Sequence, residues 1–151
     1  MGFYSDDDFE PDISIGYLVK RVHQQAQVAM EPVFAREGLT FIQWHALISI
    51  HFGRGLTCAA LARDLGYDKG ATTRLIDVLE TRGWVVRRRE HEDRRMVALK
   101  LTPEGQGVAY RCRAGVIEAW NRWLADWPDS DIVETIATLQ RLRATMEKVP
   151  A

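Results

Sequence analysis

Cysteine is scarce in this chain. Cys58 and Cys112 stand alone, with no Cys or His partners at ligand spacing, which argues against a disulfide scaffold and a structural zinc site and leaves two reduced thiols. The histidines, His23, His45, His51 and His91, include no compact pair such as His-x3-His, so neither a metal sensor nor a cofactor is expected. Serine occurs only at Ser5, Ser14, Ser49 and Ser130, none in a nucleophile-elbow context, and a Gly-rich phosphate loop is missing; an enzyme is not expected. No stretch of about eighteen uninterrupted apolar residues is present. The acidic N-terminus lacks the basic start and apolar centre of a signal peptide, so the expectation is a cytoplasmic protein without a membrane partner.

What is present is a domain-sized chain of 151 residues, 46% apolar and 27% charged, enough for one compact core. Its net charge of −1 conceals a segregation. Residues 1–12 form an acidic tail with Asp6, Asp7, Asp8, Glu10 and Asp12 and no Lys or Arg, so the rest keeps all 20 basic residues against five fewer than the 21 acids. Between Trp84 and Thr102 lie Arg87, Arg88, Arg89, Arg94, Arg95 and Lys100 against Glu90, Glu92 and Asp93. The local field, rather than the overall balance, is what attracts a phosphate backbone.

The stretch from Thr57 to Gly83 is patterned as two short helices joined at Gly66, with Thr57 and Asp68 as N-caps. Ala59, Leu61, Ala62, Leu65, Ala71, Leu75, Val78 and Leu79 are expected inside, and Lys69, Thr72, Thr73, Arg74 and Asp77 outside. This is the pattern of a helix-turn-helix, whose second helix enters the DNA major groove. Two strands closed by a basic tip follow; Val97, Leu99 and Leu101 alternate with Ala98 and Lys100. Thr102-Pro103 restarts a helix as N-cap and first residue, and Trp127-Pro128 stops it.

On either side, residues 13–37 carry Ile15, Leu18, Val22, Ala26, Ala29 and Val33 at steps of three and four, with Pro32 in the last turns and Gly38 at the end. A helix near Phe41 to Phe52 follows, and a last one near Ser130 to Lys148 carries Ile132, Ile136, Leu139, Leu142 and Met146. Apolar stripes on the terminal helices need a partner surface, and a reader of symmetric DNA sites needs a two-fold axis; pairing of those helices between two copies supplies both. The expected architecture is mainly α with a small β-hairpin wing. In it, 13–151 forms one domain, the winged helix-turn-helix spans about 41–102, and helices about 13–37 and 103–148 flank it as dimerisation arms.

Thr73-Arg74-Leu75, Leu79-Glu80-Thr81-Arg82-Gly83, Val86-Arg87-Arg88 and Asp93-Arg94-Arg95 running into Val97-Ala98-Leu99-Lys100-Leu101-Thr102 resemble the MarR family of winged helix-turn-helix regulators; the last run matches its Asp-x-Arg wing signature and Leu-x-Leu-Thr strand. The resemblance implies a homodimer on a pseudo-palindromic duplex near promoters, usually a repressor, with many members released by small aromatic or phenolic ligands. By position in that motif, Arg95 is expected in the minor groove, beside Arg94, with Asp93 orienting it. Thr72, Thr73 and Arg74 are expected at base edges and phosphates, and Lys69 and Arg88 at phosphates.

Effector binding is expected where the second helix meets the arms, near Tyr17, Trp44, His45 and Ile48, an apolar wall with one titratable imidazole. Two alternatives stay open. Cys58, in the first turn of a helix whose dipole can lower a thiol pKa, would make a redox-responsive regulator, although residues 1–57 hold no cysteine. A winged helix used only for protein contact is the other; it would have lost the basic wing that this chain keeps.

Overall fold

The computed structural model describes residues 2–7, 9–89 and 95–149. These form two compact units, 1–115 and 116–151. A short 3-10 turn, Pro11–Ile13, leads into α1 (Ile15–Ala35), which Ser14 caps by accepting the Tyr17 N–H at 3.3 Å. The Tyr4 hydroxyl fastens the entry, donating to the Ile13 carbonyl (3.1 Å) and accepting from the Ile15 N–H (2.9 Å). Pro32 brings α1 to an end within one turn, and Gly38 completes the exit at φ 69°. Within α1 only Met30 and Phe34 are buried. The expected apolar row is largely surface: Ile15, Leu18, Val22 and Ala29 are exposed, and Ala26 and Val33 are half-buried.

Helix α2 (Phe41–His51) opens with a reciprocal cap in which Thr40 accepts the Gln43 N–H and Gln43 accepts the Thr40 N–H. Trp44, Ala46, Leu47, Ser49 and Ile50 are all buried, so this helix is the centre of its unit. Helix α3 (Cys58–Leu65) is capped by Thr57 and closed by Gly66 at φ 66°; α4 (Lys69–Thr81) is capped by Asp68, which accepts the Ala71 N–H at 2.8 Å. Strands β1 (Val85–Arg89) and β2 (Val97–Leu101) pair antiparallel in the register Val85↔Leu101, Arg87↔Leu99 and Arg89↔Val97. Leu47, Leu61, Ile76, Leu79, Val85 and Leu99 are each at most 1% exposed, where α2 meets α3 and β2, α3 meets α4, and α4 meets β1.

Helix α5 (Pro103–Trp123) starts as the sequence predicts but stops a turn before Trp127, and α6 runs over Asp129–Met146. A residue ahead of proline is driven out of the helical region, so the chain leaves the helix before it reaches Pro128. Asp129 and Asp131 then stand at the positive end of α6. Among the described residues no helix is long and apolar enough to cross a membrane.

The connection from α4 through the hairpin to α5 closes on itself. Gly83 turns the chain at φ 75°, the Trp84 N–H returns to the Leu79 carbonyl (3.0 Å), and the Thr102 hydroxyl donates to the Gly83 carbonyl (2.6 Å) while accepting the Gly105 N–H (3.0 Å). A Cβ on Gly105 would collide with the Trp84 backbone carbonyl. Gly105→Ala is therefore expected to destabilise the fold by about 1–3 kcal/mol, whereas Gly16→Ala, with nothing within 4 Å of its Cβ, should be neutral or mildly stabilising. Urea unfolding of both variants checks this; equal midpoints would contradict the closed connection.

Candidate nucleic-acid interface and ligand cleft

Asp68 ends the turn and starts α4 so that its first residues stand free of the core: Lys69, Thr73 and Arg74 are exposed. Thr72 is not. It is 0% exposed, and its hydroxyl donates to the Asp68 carbonyl at 2.8 Å, which satisfies it inside. The buried face of α4 is Thr72, Leu75, Ile76 and Leu79, a spacing of three, one and three, so the helix is rotated relative to the expected Ala71, Leu75, Val78 and Leu79; Val78 is exposed. A base-edge role expected for Thr72 is thereby corrected. Ala59, expected inside on α3, is exposed as well.

The hairpin packed on α4 carries the remaining basic groups. Strand alternation separates them: Val85 and Arg87 share one face, and Val86 and Arg88 the other, with Lys100 directly opposite Val86. Arg88, Arg89 and Lys100 are exposed, as is Arg95 in the turn before β2. Asp93 and Arg94 lie outside the described residues. Arg87 instead turns to α4, where Asp77 and Glu80 hold it at 2.6 and 2.8 Å. Arg82 lies over the Trp84 ring at 4.1 Å, which places that tryptophan in the frame of the module.

A cleft of about 300 Å³ opens along α2, lined by Phe41, His45, Ile48, Ser49 and Phe52 of that helix stretch, by His23 of α1, and by Arg54 and Asp64. Of the residues expected at an effector site, His45 and Ile48 line it. Trp44 does not: it is buried, stacked on Phe34 at 5.2 Å, and donates its indole N–H to the Ala109 carbonyl at 3.3 Å, so one ring face and its polar edge are already used. Tyr17 is exposed on α1 and is not a lining residue. Two other features could not be anticipated from spacing. The Ser49 hydroxyl, 4% exposed, has no hydrogen-bond partner among the described residues and borders the cleft. Asp64 reaches the cleft from α3, where its neighbours in sequence gave no sign of it.

His45 is held in one orientation. Its Nδ1–H donates to the Phe41 carbonyl at 2.9 Å, and its ring lies 4.1 Å from the Phe41 ring, which leaves Nε2 as an acceptor. Burial pushes the imidazole pKa below its ordinary 6.5; the Phe41 bond works the other way, His23 adds to the depression and Asp64 opposes it. Cys112 is 1% exposed, and burial pushes its thiol up to about 11, which makes it a packing residue. Cys58 is half-buried, with its Sγ 3.5 Å from the Thr73 hydroxyl of α4.

A depressed histidine pKa means that the unfolded chain takes up a proton first as pH falls. The contribution of neutral His45 is thus complete above about pH 6.5 and declines below it, until the folded state also protonates. Stability measured by urea between pH 7.5 and 5 should drop in this window, and less so in His45→Gln. Parallel curves for the two proteins would contradict a buried neutral imidazole.

Comparison with known proteins agrees with this geometry. A family model described as MarR family matches residues 37–96. The multiple antibiotic resistance protein MarR of Escherichia coli is 30% identical over 135 residues, 89% of this chain and 94% of that protein. Among solved structures, a cysteine-to-serine variant of E. coli MarR complexed with operator DNA superposes with a TM-score of 0.76 at 27% identity, covering 91% of this chain and 99% of that one. CouR from Rhodococcus jostii, bound to p-coumaroyl-CoA, gives 0.77 at 28% identity over 88% and 94%. With its two capped helices, basic hairpin and flanking helices, the chain belongs to the MarR family of winged helix-turn-helix transcriptional regulators.

Proposed function

We propose that this regulator binds a pseudo-palindromic duplex as a homodimer in the cytoplasm and represses transcription until a small aromatic ligand releases it, acting by binding alone and not by catalysis. The observation that carries the reading is the exposed start of α4, with Lys69, Thr73 and Arg74, together with exposed Arg88 and Arg95 on the hairpin packed against that same helix. In this reading Thr73 and Arg74 face base edges, Lys69 and Arg88 face phosphates, and Arg95, flanked by Arg94 and oriented by Asp93, enters the minor groove. The E. coli relative solved on operator DNA supports it.

Residues about 41–102 serve as the DNA-binding part and the helices at about 13–37 and 103–148 as dimerisation arms. What supports the second assignment is apolar surface: Ile15, Leu18, Val19 and Val22 along α1, and Val133, Ile136 and Leu139 along α6, are all exposed in the single chain. Burial against a second copy returns about 25 cal/mol for each Å² removed from water.

The effector is assigned to the cleft at His45 and Ile48, whose size suits a single aromatic ring. CouR, solved with p-coumaroyl-CoA, is a relative with an aromatic acyl ligand. To regulate, the ligand must favour the spacing of the two α4 helices that does not fit DNA; tenfold release requires about 1.4 kcal/mol of preference.

Footprinting over the DNA flanking the protein's own gene, followed by affinity measurements on the protected site, tests this. Half-sites about one helical turn apart are expected, and Arg74→Ala and Arg95→Ala should each lose about 1–3 kcal/mol, the second most where flanking sequence is A·T-rich. Salicylate-like compounds should lower operator affinity in wild type and lose that effect in His45→Ala. Binding indifferent to sequence would defeat the reading, and release unaltered in His45→Ala would defeat the location of the effector.

A further inference from the structure

We propose that Arg87 is a positioning residue: it clamps the first wing strand to the recognition helix and sets how the two DNA-contacting elements stand to one another, without touching DNA. The inference rests on the DNA-binding reading above and gives that site its internal mechanics.

Arg87 sits first in an Arg-Arg-Arg run, where charge alone would make it one more phosphate ligand. Its geometry differs from that of its neighbours. Nη2 donates to Asp77 Oδ1 at 2.6 Å, Nη1 donates to Glu80 Oε1 at 2.8 Å, and the Arg87 backbone N–H donates to Glu80 Oε2 at 3.3 Å. One residue of β1 thus grips one turn of α4 through both its side chain and its main chain. Asp77 and Glu80 are three apart and therefore on the same side of the helix. A planar guanidinium fork can serve two carboxylates at once; a lysine ammonium on a flexible stem cannot hold both in fixed directions. The Asp77 bond, ahead of Glu80, also raises the Arg87 pKa.

Two further observations bear on the role. Arg87 falls on the same face of β1 as fully buried Val85, whereas Arg88 is on the outer face. The sheet formed by β1 and β2 has two strands, and such a hairpin is marginal by itself and takes its direction from what it packs on. Asp77 and Glu80 are moreover carboxylates on the helix assigned to DNA, one and two turns beyond Thr73. Unpaired, they would repel phosphate; paired, they serve as the anchor of the wing.

The test uses the full-length protein and the sign of a charge effect. Asp77→Asn with Glu80→Gln removes two negative charges from a DNA-facing helix, which by charge alone strengthens binding. The clamp predicts the reverse, a loss of roughly five- to twentyfold in operator affinity. Arg87→Lys, with its charge kept, should lose a similar factor, and Arg87→Met should leave the salt dependence of binding at the wild-type slope. In an Arg95→Ala background, Arg87→Lys should cost much less, because the wing contact it places is already gone. Partly exposed pairs contribute little to global stability, so the thermal midpoints should stay close. In the DNA-free protein, hydrogen exchange of 85–89 and 97–101 should speed up in Arg87→Lys while that of α2 does not.

Tighter binding by the double carboxamide variant, wild-type affinity in Arg87→Lys, or a salt slope reduced by about one per subunit in Arg87→Met would overturn the clamp in favour of a phosphate contact. Hairpin exchange unchanged in Arg87→Lys would overturn it independently of DNA. If wild type bound no site, the DNA reading would fail while the exchange measurement still decided the clamp.

Discussion

Everything that could meet DNA hangs on one small knot of backbone, residues 82–84 against 102–105. There the end of α4, the start of β1, the end of β2 and the start of α5 are joined by the Trp84 N–H on Leu79, the Thr102 N–H on Trp84 and the Thr102 hydroxyl on Gly83. Gly83 supplies a left-handed turn, and Gly105 allows the Trp84 carbonyl to approach a helix more closely than any side chain permits. With this knot closed, Leu79, Val85 and Leu99 pack without exposure, and the hairpin cannot swing as a free ribbon. The Arg87 bridge to Asp77 and Glu80 fixes the same two elements from the far side of the strand's first residues.

The charges are arranged around that frame. Lys69 and Arg74 on α4 and Arg88, Arg89, Lys100 and Arg95 on the hairpin are exposed, and all six belong to elements tied by the knot. The cleft at His45 is bordered by residues of α1, α2 and α3, and α2 contacts both α3 and β2. A ligand there would press on α2 and α3 and not on Lys69, Thr73 or Arg74, so any influence on those residues would pass through packing. A close-packed interior transmits such displacements instead of absorbing them.

Much of the fold was legible because its punctuation is local. Thr57, Asp68 and Thr102 cap the helices they were expected to cap, and period-two alternation located β2. The phase of α4 was harder: Ala71 and Thr72 are both small, and only the bond from Thr72 to Asp68 shows why a hydroxyl could go inside. Trp44 looked available because an aromatic ring announces size and not orientation; its partners Phe34 and Ala109 are remote in sequence. The special position of Arg87 was hidden inside a run of like charges, with its two carboxylates seven and ten residues upstream.

If recognition helix and wing act on DNA as one clamped unit, a crystal structure of the dimer on its footprinted operator will show the start of α4 in the major groove, Arg95 in the adjacent minor groove, and Arg87 still bonded to Asp77 and Glu80. An Arg87 side chain turned to a phosphate, or a hairpin rotated away from α4 on the bound duplex, would contradict it.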